Sequence, residues 1–117
     1  MANSSIPKFY KKSRKERIKT VASFCGLSKK DVEVLQNNSG ISFDEADKMV
    51  ENAIGTVSFP LGIATSFRIN RKDYLVPMVI EEPSVIAAAS KAAKIARKHS
   101  GFTMKADESY SIGQIQV

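Results

Sequence analysis

The sequence predicts an α+β fold for one globular unit, with short N-terminal helices, a β-hairpin and a long alanine-rich helix. The chain has 117 residues, 43% of them hydrophobic and 26% charged, which is typical of a single folded domain. Apolar residues recur at intervals of three and four in the first third and again after residue 83, whereas β-branched and aromatic residues fill the middle. A chain of this mass could bury about two-thirds of its surface if it closed on itself.

A capping box at Ser13 and Glu16 predicts the first helix, because the Ser hydroxyl can accept a backbone N–H while the Glu reaches back to the cap. Gly26 supplies the left-handed residue that ends such a helix. Helical spacing predicts one buried face, made of Ile18, Val21, Ala22 and Cys25. We therefore expect Cys25 to be a buried small hydrophobe and not a reactive thiol.

Two further short helices are predicted before residue 55. The second follows Ser28 to Asp31 and ends at residues 37–40, and its apolar positions are Val32, Val34 and Leu35. The third begins at a capping box of Ser42 and Glu45. Its buried stripe is predicted to contain Ala46, Met49, Val50 and, at the end, Ala53 and Ile54.

The middle of the chain predicts a hairpin that leads into a long helix. Residues 56–69 are predicted to be extended, residues 70–73 to turn and residues 74–80 to pair back as a second strand. Pro77 should lie at an edge or a bulge, since it cannot donate to the ladder. The helix is predicted over residues 85–98, with Pro83 in its first turn, and its many alanines would allow a close approach to the sheet.

Two more strands are predicted at residues 102–105 and 112–117, separated by a polar turn at residues 106–110. The chain stops inside the last predicted strand, which would leave an unpaired edge. We interpret this end as a truncation. His99 follows the long helix, where an imidazolium could cap the terminal carbonyls.

The net charge of +6 is confined to residues 1–20, which hold seven basic and one acidic side chain. That run predicts a solvated helix face or a surface that attracts anions, and no recognisable nucleic-acid-binding module accompanies it. A single cysteine and a single histidine exclude an internal disulfide framework and argue against a metal site. Neither a secretory signal nor an apolar run long enough for a bilayer is visible in the sequence, so we expect a cytoplasmic location and no membrane partner.

Two segments could carry chemistry. Glu81 and Glu82 lie between the predicted second strand and the long helix, where side chains often line a cleft. A carboxyl group in an apolar, water-poor pocket can act as a general acid near neutral pH; the alternative is an acidic pair that stabilises the helix dipole. The second segment is Glu51–Gly55. It is followed by Pro60 and Gly62, which mark places where the backbone is expected to approach a neighbouring group closely.

Together these segments resemble hydroxymethylglutaryl-CoA reductase, and more closely its prokaryotic second class than its membrane-anchored eukaryotic class. Ordered blocks across nearly the whole chain carry the resemblance: Ile6–Phe9, Glu51–Gly55, Pro60–Ala64, Tyr74–Met78, Glu81–Ser90, Gly101–Thr103 and Gln114–Val117. Ala53 stands where the family commonly has Val, and Arg71 stands where relatives often have Gly, which puts only the turn type in doubt.

The resemblance implies an oxidoreductase that makes mevalonate and CoA from hydroxymethylglutaryl-CoA with two hydrides from NADPH or NADH, in isoprenoid biosynthesis, and that works as a dimer. By position in the motifs it implies a catalytic acid at Glu82 and a substrate-binding hydroxyl at Ser84. It also implies a subunit interface at Glu51, Asn52 and Gly55. The basic segment could hold CoA phosphates, with Lys8, Lys11 and Lys12 as candidates.

The resemblance further implies a division of the chain. Residues 1–108 would be the first segment of the substrate-binding large domain, and residues 109–117 the truncated start of the small, cofactor-binding domain. The family's catalytic Lys, Asp and His lie beyond residue 117, so we expect the chain alone to be inactive. The alternatives are a non-catalytic module that binds CoA-like anions or a partner chain, and a split enzyme completed by a second polypeptide.

Overall fold

The computed structural model describes residues 3–37, 40–109 and 113 and has the predicted α+β organisation. A single 3₁₀ turn at Phe9–Lys11 precedes three helices, which are α1 (Arg14–Cys25), α2 (Lys29–Asn37) and α3 (Phe43–Met49). An antiparallel pair of strands follows, β1 (Leu61–Ile69) and β2 (Lys72–Val79), and then α4 (Pro83–Arg97). The long helix packs on β1, where Ala64 and Ala93 are buried, and Ala46 of α3 is buried as well.

The caps predicted for the N-terminal helices are confirmed. The Ser13 hydroxyl accepts from the Glu16 N–H while the Glu16 carboxylate accepts from the Ser13 N–H at 2.8 Å, and Ser42 and Glu45 repeat this arrangement. Gly26 ends α1 with a φ of 66°. Local sequence alone determines these ends, because every partner lies within three or four residues.

The predicted buried faces of these helices are partly wrong. Cys25 is exposed, and so are Met49 (71%) and Val50, while Ile54 is fully exposed (100%). The helix α3 ends at Met49, so the later positions of its predicted stripe leave the helical face. Ala46 is buried as predicted. Helical spacing places apolar side chains on one side, but no described segment covers that side at these positions.

The hairpin turn is tighter than predicted. Only Asn70 and Arg71 form it, with φ values of 48° and 66°, as in the type I′ turns that suit the twist of a hairpin. Asp73 therefore belongs to β2, where it pairs with Arg68. Pro77 lies in a strand with one open edge, as expected, and the bulge falls instead at residues 65–66 of β1.

The chain after α4 adds one short contact to β1. Gly101 has a φ of 86°, and a Cβ at this position would lie 2.2 Å from the Arg68 carbonyl oxygen. Phe102 then forms a parallel bridge with Ile69, and the Asn70 amide bonds both the N–H and the carbonyl of Met104 at 2.9 Å. The strand predicted at residues 102–105 is thus reduced to a bridge, and the one at residues 112–117 lies, apart from Gly113, outside the described residues.

The structure is more extended than a compact chain of the same size. Its accessible surface is 10,141 Å², against about 6,300 Å² for a compact protein of this mass. The radius of gyration is 17.8 Å, against about 13 Å for a compact chain of this length. In the part of the chain that the structure describes, no helix has both the length and the apolar character needed to cross a membrane.

Candidate functional site

The predicted acidic pair lies in the connection from β2 to α4. Ile80 turns the chain with a φ of 67°, and Glu82 becomes the N-cap of the helix. The Glu82 carbonyl accepts from the Val85 N–H at 3.1 Å, while its carboxylate Oε1 accepts a hydrogen bond from the Ser84 hydroxyl. The structure therefore brings together the two residues for which catalytic and substrate-binding roles were expected.

The pocket expected around this pair is not formed by the described residues. Glu81, Glu82 and Ser84 are all exposed, and the neighbouring apolar side chain of Ile80 is exposed as well. The carboxylate faces a hydroxyl and not a backbone N–H of the helix, so it does not cap α4. A carboxylate and a hydroxyl on the open first turn of a helix can contact a molecule or a second protein surface placed over them.

Three contacts fix the position of α4 on β1. The Ser90 hydroxyl accepts from the Thr65 N–H at 3.1 Å, which satisfies a donor that the bulge takes out of the ladder. Ala93 and Ala64 are fully buried, as the predicted close approach of the alanine-rich helix requires. Near the acidic pair, Ile86 packs over Gly62 so closely that a Cβ there would lie 2.3 Å from Ile86 Cδ1.

An ion pair also joins the far end of α4 to β2. Arg97 donates to both carboxylate oxygens of Asp73, at 2.9 and 2.8 Å, and the two side chains are 19% and 14% exposed. This bonding holds the pKa of Asp73 below its usual value and raises the pKa of Arg97. The same guanidinium donates to Ser4 Oγ at 3.3 Å and to Asn3 Oδ1 at 2.9 Å.

The sequence did not lead us to predict this cluster. A signal was present, because Ile86, Ser90, Ala93 and Arg97 follow each other at intervals of four, three and four and so share one helical face. An arginine at the end of an otherwise small and apolar face indicates a carboxylate opposite it. The sequence could not show that this carboxylate is Asp73.

The basic segment and the predicted interface motif lie away from α4 along the chain. Lys8 and Lys11 are exposed and Lys12 is half-buried, with Lys11 Nζ 5.9 Å from the centre of the Tyr10 ring. Glu51, Asn52 and Gly55 are exposed in the connection from α3 to β1. A groove of about 1,180 Å³ runs between the helices α1–α3 and residues 55–63, and Gly55 and Gly62 both line it.

The sequence is similar to known proteins along nearly its whole length. A family model described as hydroxymethylglutaryl-coenzyme A reductase matches residues 13–117. The chain is 56% identical to 3-hydroxy-3-methylglutaryl-coenzyme A reductase of Archaeoglobus fulgidus over 115 residues, which is 98% of the chain and 26% of that relative. It is 39% identical to a probable reductase of the same name from Borreliella burgdorferi, over 92% of the chain and 22% of that relative.

Solved structures agree with these relatives. The 3-hydroxy-3-methylglutaryl-coenzyme A reductase of Streptococcus pneumoniae matches with a TM-score of 0.74 and 39% identity, over 83% of this chain and 26% of that one. A second structure of a class II reductase from that organism, with the same TM-score of 0.74, is bound to NADPH. The chain spans about a quarter of the length of the relatives that it matches.

Proposed function

The chain belongs to the hydroxymethylglutaryl-coenzyme A reductase family, and we propose that it contributes part of the substrate site of a reductase that converts hydroxymethylglutaryl-CoA to mevalonate and CoA. The observation that carries the proposal is the hydrogen-bonded pair of Glu82 and Ser84 on the first turn of α4, inside the family motif Glu81–Ser84. Residues 1–108 would belong to the substrate-binding domain, and residues 109–117 would begin the cofactor-binding one.

Glu82 would act as the proton donor. When the thiohemiacetal collapses to the aldehyde, the C–S bond breaks, the oxygen loses its proton and the departing CoA thiolate takes one up. When hydride then adds to the aldehyde carbonyl, the oxygen gains negative charge and a proton must reach it. A carboxyl group can deliver it if the surroundings exclude water. Because Glu82 is exposed in this chain, that exclusion would come from surfaces that cover the first turn of α4 in the assembled enzyme.

Ser84 would position both the Glu82 carboxyl group and the substrate. Its hydroxyl donates to Glu82 Oε1, which fixes the carboxyl group, and its oxygen lone pairs remain able to accept from a substrate. The hydride would come from a nicotinamide cofactor, and NADPH in the Streptococcus pneumoniae structure supports that class of cofactor.

The remaining sites are proposed from the family's organisation. Glu51, Asn52 and Gly55 would lie at the interface of a homodimer, in line with their exposure beside the apolar groove. Lys8, Lys11 and Lys12 would attract the phosphates of CoA through long-range charge attraction. The large exposed surface of the described chain supports a role inside a larger assembly, which we place in the cytoplasm.

The test is reductase activity in the natural polypeptide that carries these residues. We expect Glu82→Gln to lower kcat by about 100-fold or more, while Glu81→Gln, a matched change at the adjacent exposed carboxylate, leaves kcat within about twofold. Equal effects of both changes would refute the assignment of the acid.

The mass of that natural polypeptide decides between the alternatives. A species several times 12.8 kDa would permit the test in a single enzyme, whereas one of 12.8 kDa would require a second chain that supplies the missing Lys, Asp and His. Binding of CoA that depends only on salt and on residues 8–19 would favour a non-catalytic module.

A further inference from the structure

Ser4 is fully buried (0% exposed) although it is polar and lies next to the start of the described chain. Each of its polar groups has a partner. Its N–H donates to Asp73 Oδ2 at 3.0 Å, its hydroxyl donates to the Phe67 carbonyl at 2.8 Å, and its carbonyl accepts from the Ser66 N–H at 2.9 Å. All three partners lie in the hairpin, so residue 4 is fixed to the sheet.

The bulge of β1 provides one of these contacts. Ser66 has a φ of 70°, and its N–H is turned out of the ladder towards Ser4. Arg97 closes the arrangement from the last turn of α4, since it donates to Ser4, Asn3 and Asp73 together. One residue near the chain start is therefore held by β1, β2 and the helix that begins after Glu82.

The same short segment also contacts the N-terminal helices. Asn3 and Ile6 line a cavity of about 390 Å³ whose other walls come from α1, at Lys19, Thr20, Ser23 and Phe24. On another side, the apolar groove of about 1,180 Å³ separates α1–α3 from residues 55–63. Residues 3–6 thus connect the helical part to the unit formed by the hairpin and α4.

We propose that Ser4 is a positioning residue that sets where the basic segment, residues 8–12, lies relative to Glu82 and Ser84. Lys8 follows Ser4 by four positions, which limits the distance between their Cα atoms to about 14 Å. The anchor would hold the end of the site that binds the CoA phosphates at a constant distance from the end that binds the acyl group. This inference rests on the function proposed above.

The experiment compares two thioesters in the natural polypeptide. Hydroxymethylglutaryl-CoA carries the nucleotide phosphates, and hydroxymethylglutaryl-pantetheine lacks them. We expect Ser4→Leu, which cannot occupy the buried position, to raise KM for the CoA thioester about tenfold, the effect of one lost hydrogen bond of ordinary strength. KM for the pantetheine thioester and kcat for both should remain unchanged, and the tenfold difference should shrink at high salt.

Ser5→Ala is the matched control, since Ser5 bonds Asn3 through its backbone N–H, which that change preserves. If Ser4→Leu does not fold, Ser4→Ala decides in the same assay. An equal rise of KM for both thioesters, a fall in kcat, or no change would refute the positioning role. Wild-type polypeptide without reductase activity would instead refute the proposed function, and the inference with it.

Discussion

Replacing Arg97 with methionine tests the tertiary contact that the sequence did not reveal. The change keeps an unbranched side chain of similar helix propensity but removes hydrogen bonds to Asp73, Ser4 and Asn3. It also leaves the Asp73 carboxylate, 14% exposed, with only the Ser4 N–H as a described donor. The start of the chain and the end of α4 should then separate from the hairpin more easily.

The size of the effect follows from the burial of the pair. Breaking a fully buried ion pair costs about 3–5 kcal/mol, and an exposed pair contributes about 0–1 kcal/mol. With side chains 19% and 14% exposed, we expect a loss of about 2–3 kcal/mol. That corresponds to an opening equilibrium about 30- to 160-fold larger.

Amide hydrogen exchange followed by mass spectrometry measures this opening locally, even within a larger polypeptide. Peptides covering β1 and α4 should exchange faster by the stated factor in Arg97→Met. Lys94→Met is the control, because Lys94 is exposed on the same helix. If hydrogen exchange became less than about twofold faster, the energy assigned to the cluster would be refuted, because the loss of an exposed ion pair is enough to cause a change of that size.

The effect should depend on pH in one direction. Hydrogen bonds from Arg97 hold the pKa of Asp73 below its usual value, and the hydrogen bond from the Ser4 N–H lowers it further. The pair's contribution is therefore fully present above about pH 4, the pKa of an aspartate in an unfolded chain, and is lost as the pH falls through the lower folded value. We expect the difference between wild type and Arg97→Met to be constant from about pH 5 to 8 and to narrow below about pH 4.

Two further changes test backbone positions. Gly101→Ala should lower the free energy of unfolding by about 2 kcal/mol or more, because the added Cβ would lie 2.2 Å from the Arg68 carbonyl oxygen. A melting temperature within about 1 °C of wild type would contradict this. Arg71→Gly should raise the free energy of unfolding by about 0.5–1 kcal/mol, since Arg71 holds a φ of 66° that glycine adopts without steric cost. A lower midpoint of chemical denaturation than that of wild type would contradict this prediction.

Local signals predicted much of the fold. The capping boxes at Ser13 and Ser42, the C-cap at Gly26 and the first turn at Pro83 are confirmed because each depends on residues within one helical turn. Cys25 and Ile54 were wrongly expected to be buried. A helix can display an apolar face to any surface, and the sequence does not say whether a described segment will cover it.

For the candidate site, the family resemblance pointed to Glu82 and Ser84 within the motif Glu81–Ser84, and that resemblance is confirmed by the matching relatives. The roles of Glu82 and Ser84 stay predictions. The structure added their mutual hydrogen bond and their exposure. Spacing of two residues allows that bond but does not require it, because the backbone at an N-cap can point the carboxylate to the helix instead.

By itself, the sequence determined the capped helix ends, the presence of the hairpin and the family, since these follow from neighbours in the chain and from ordered motifs. The tertiary structure alone decided that Ser4, Asp73 and Arg97 meet. Those residues are separated by up to 93 positions, and their contact depends on the one-residue bulge of β1 and on the face that α4 turns to the sheet. Long-range polar contacts of this kind need the strand register and the helix rotation together. The spacing along α4 indicates which face packs, but it does not show which strand residue that face meets.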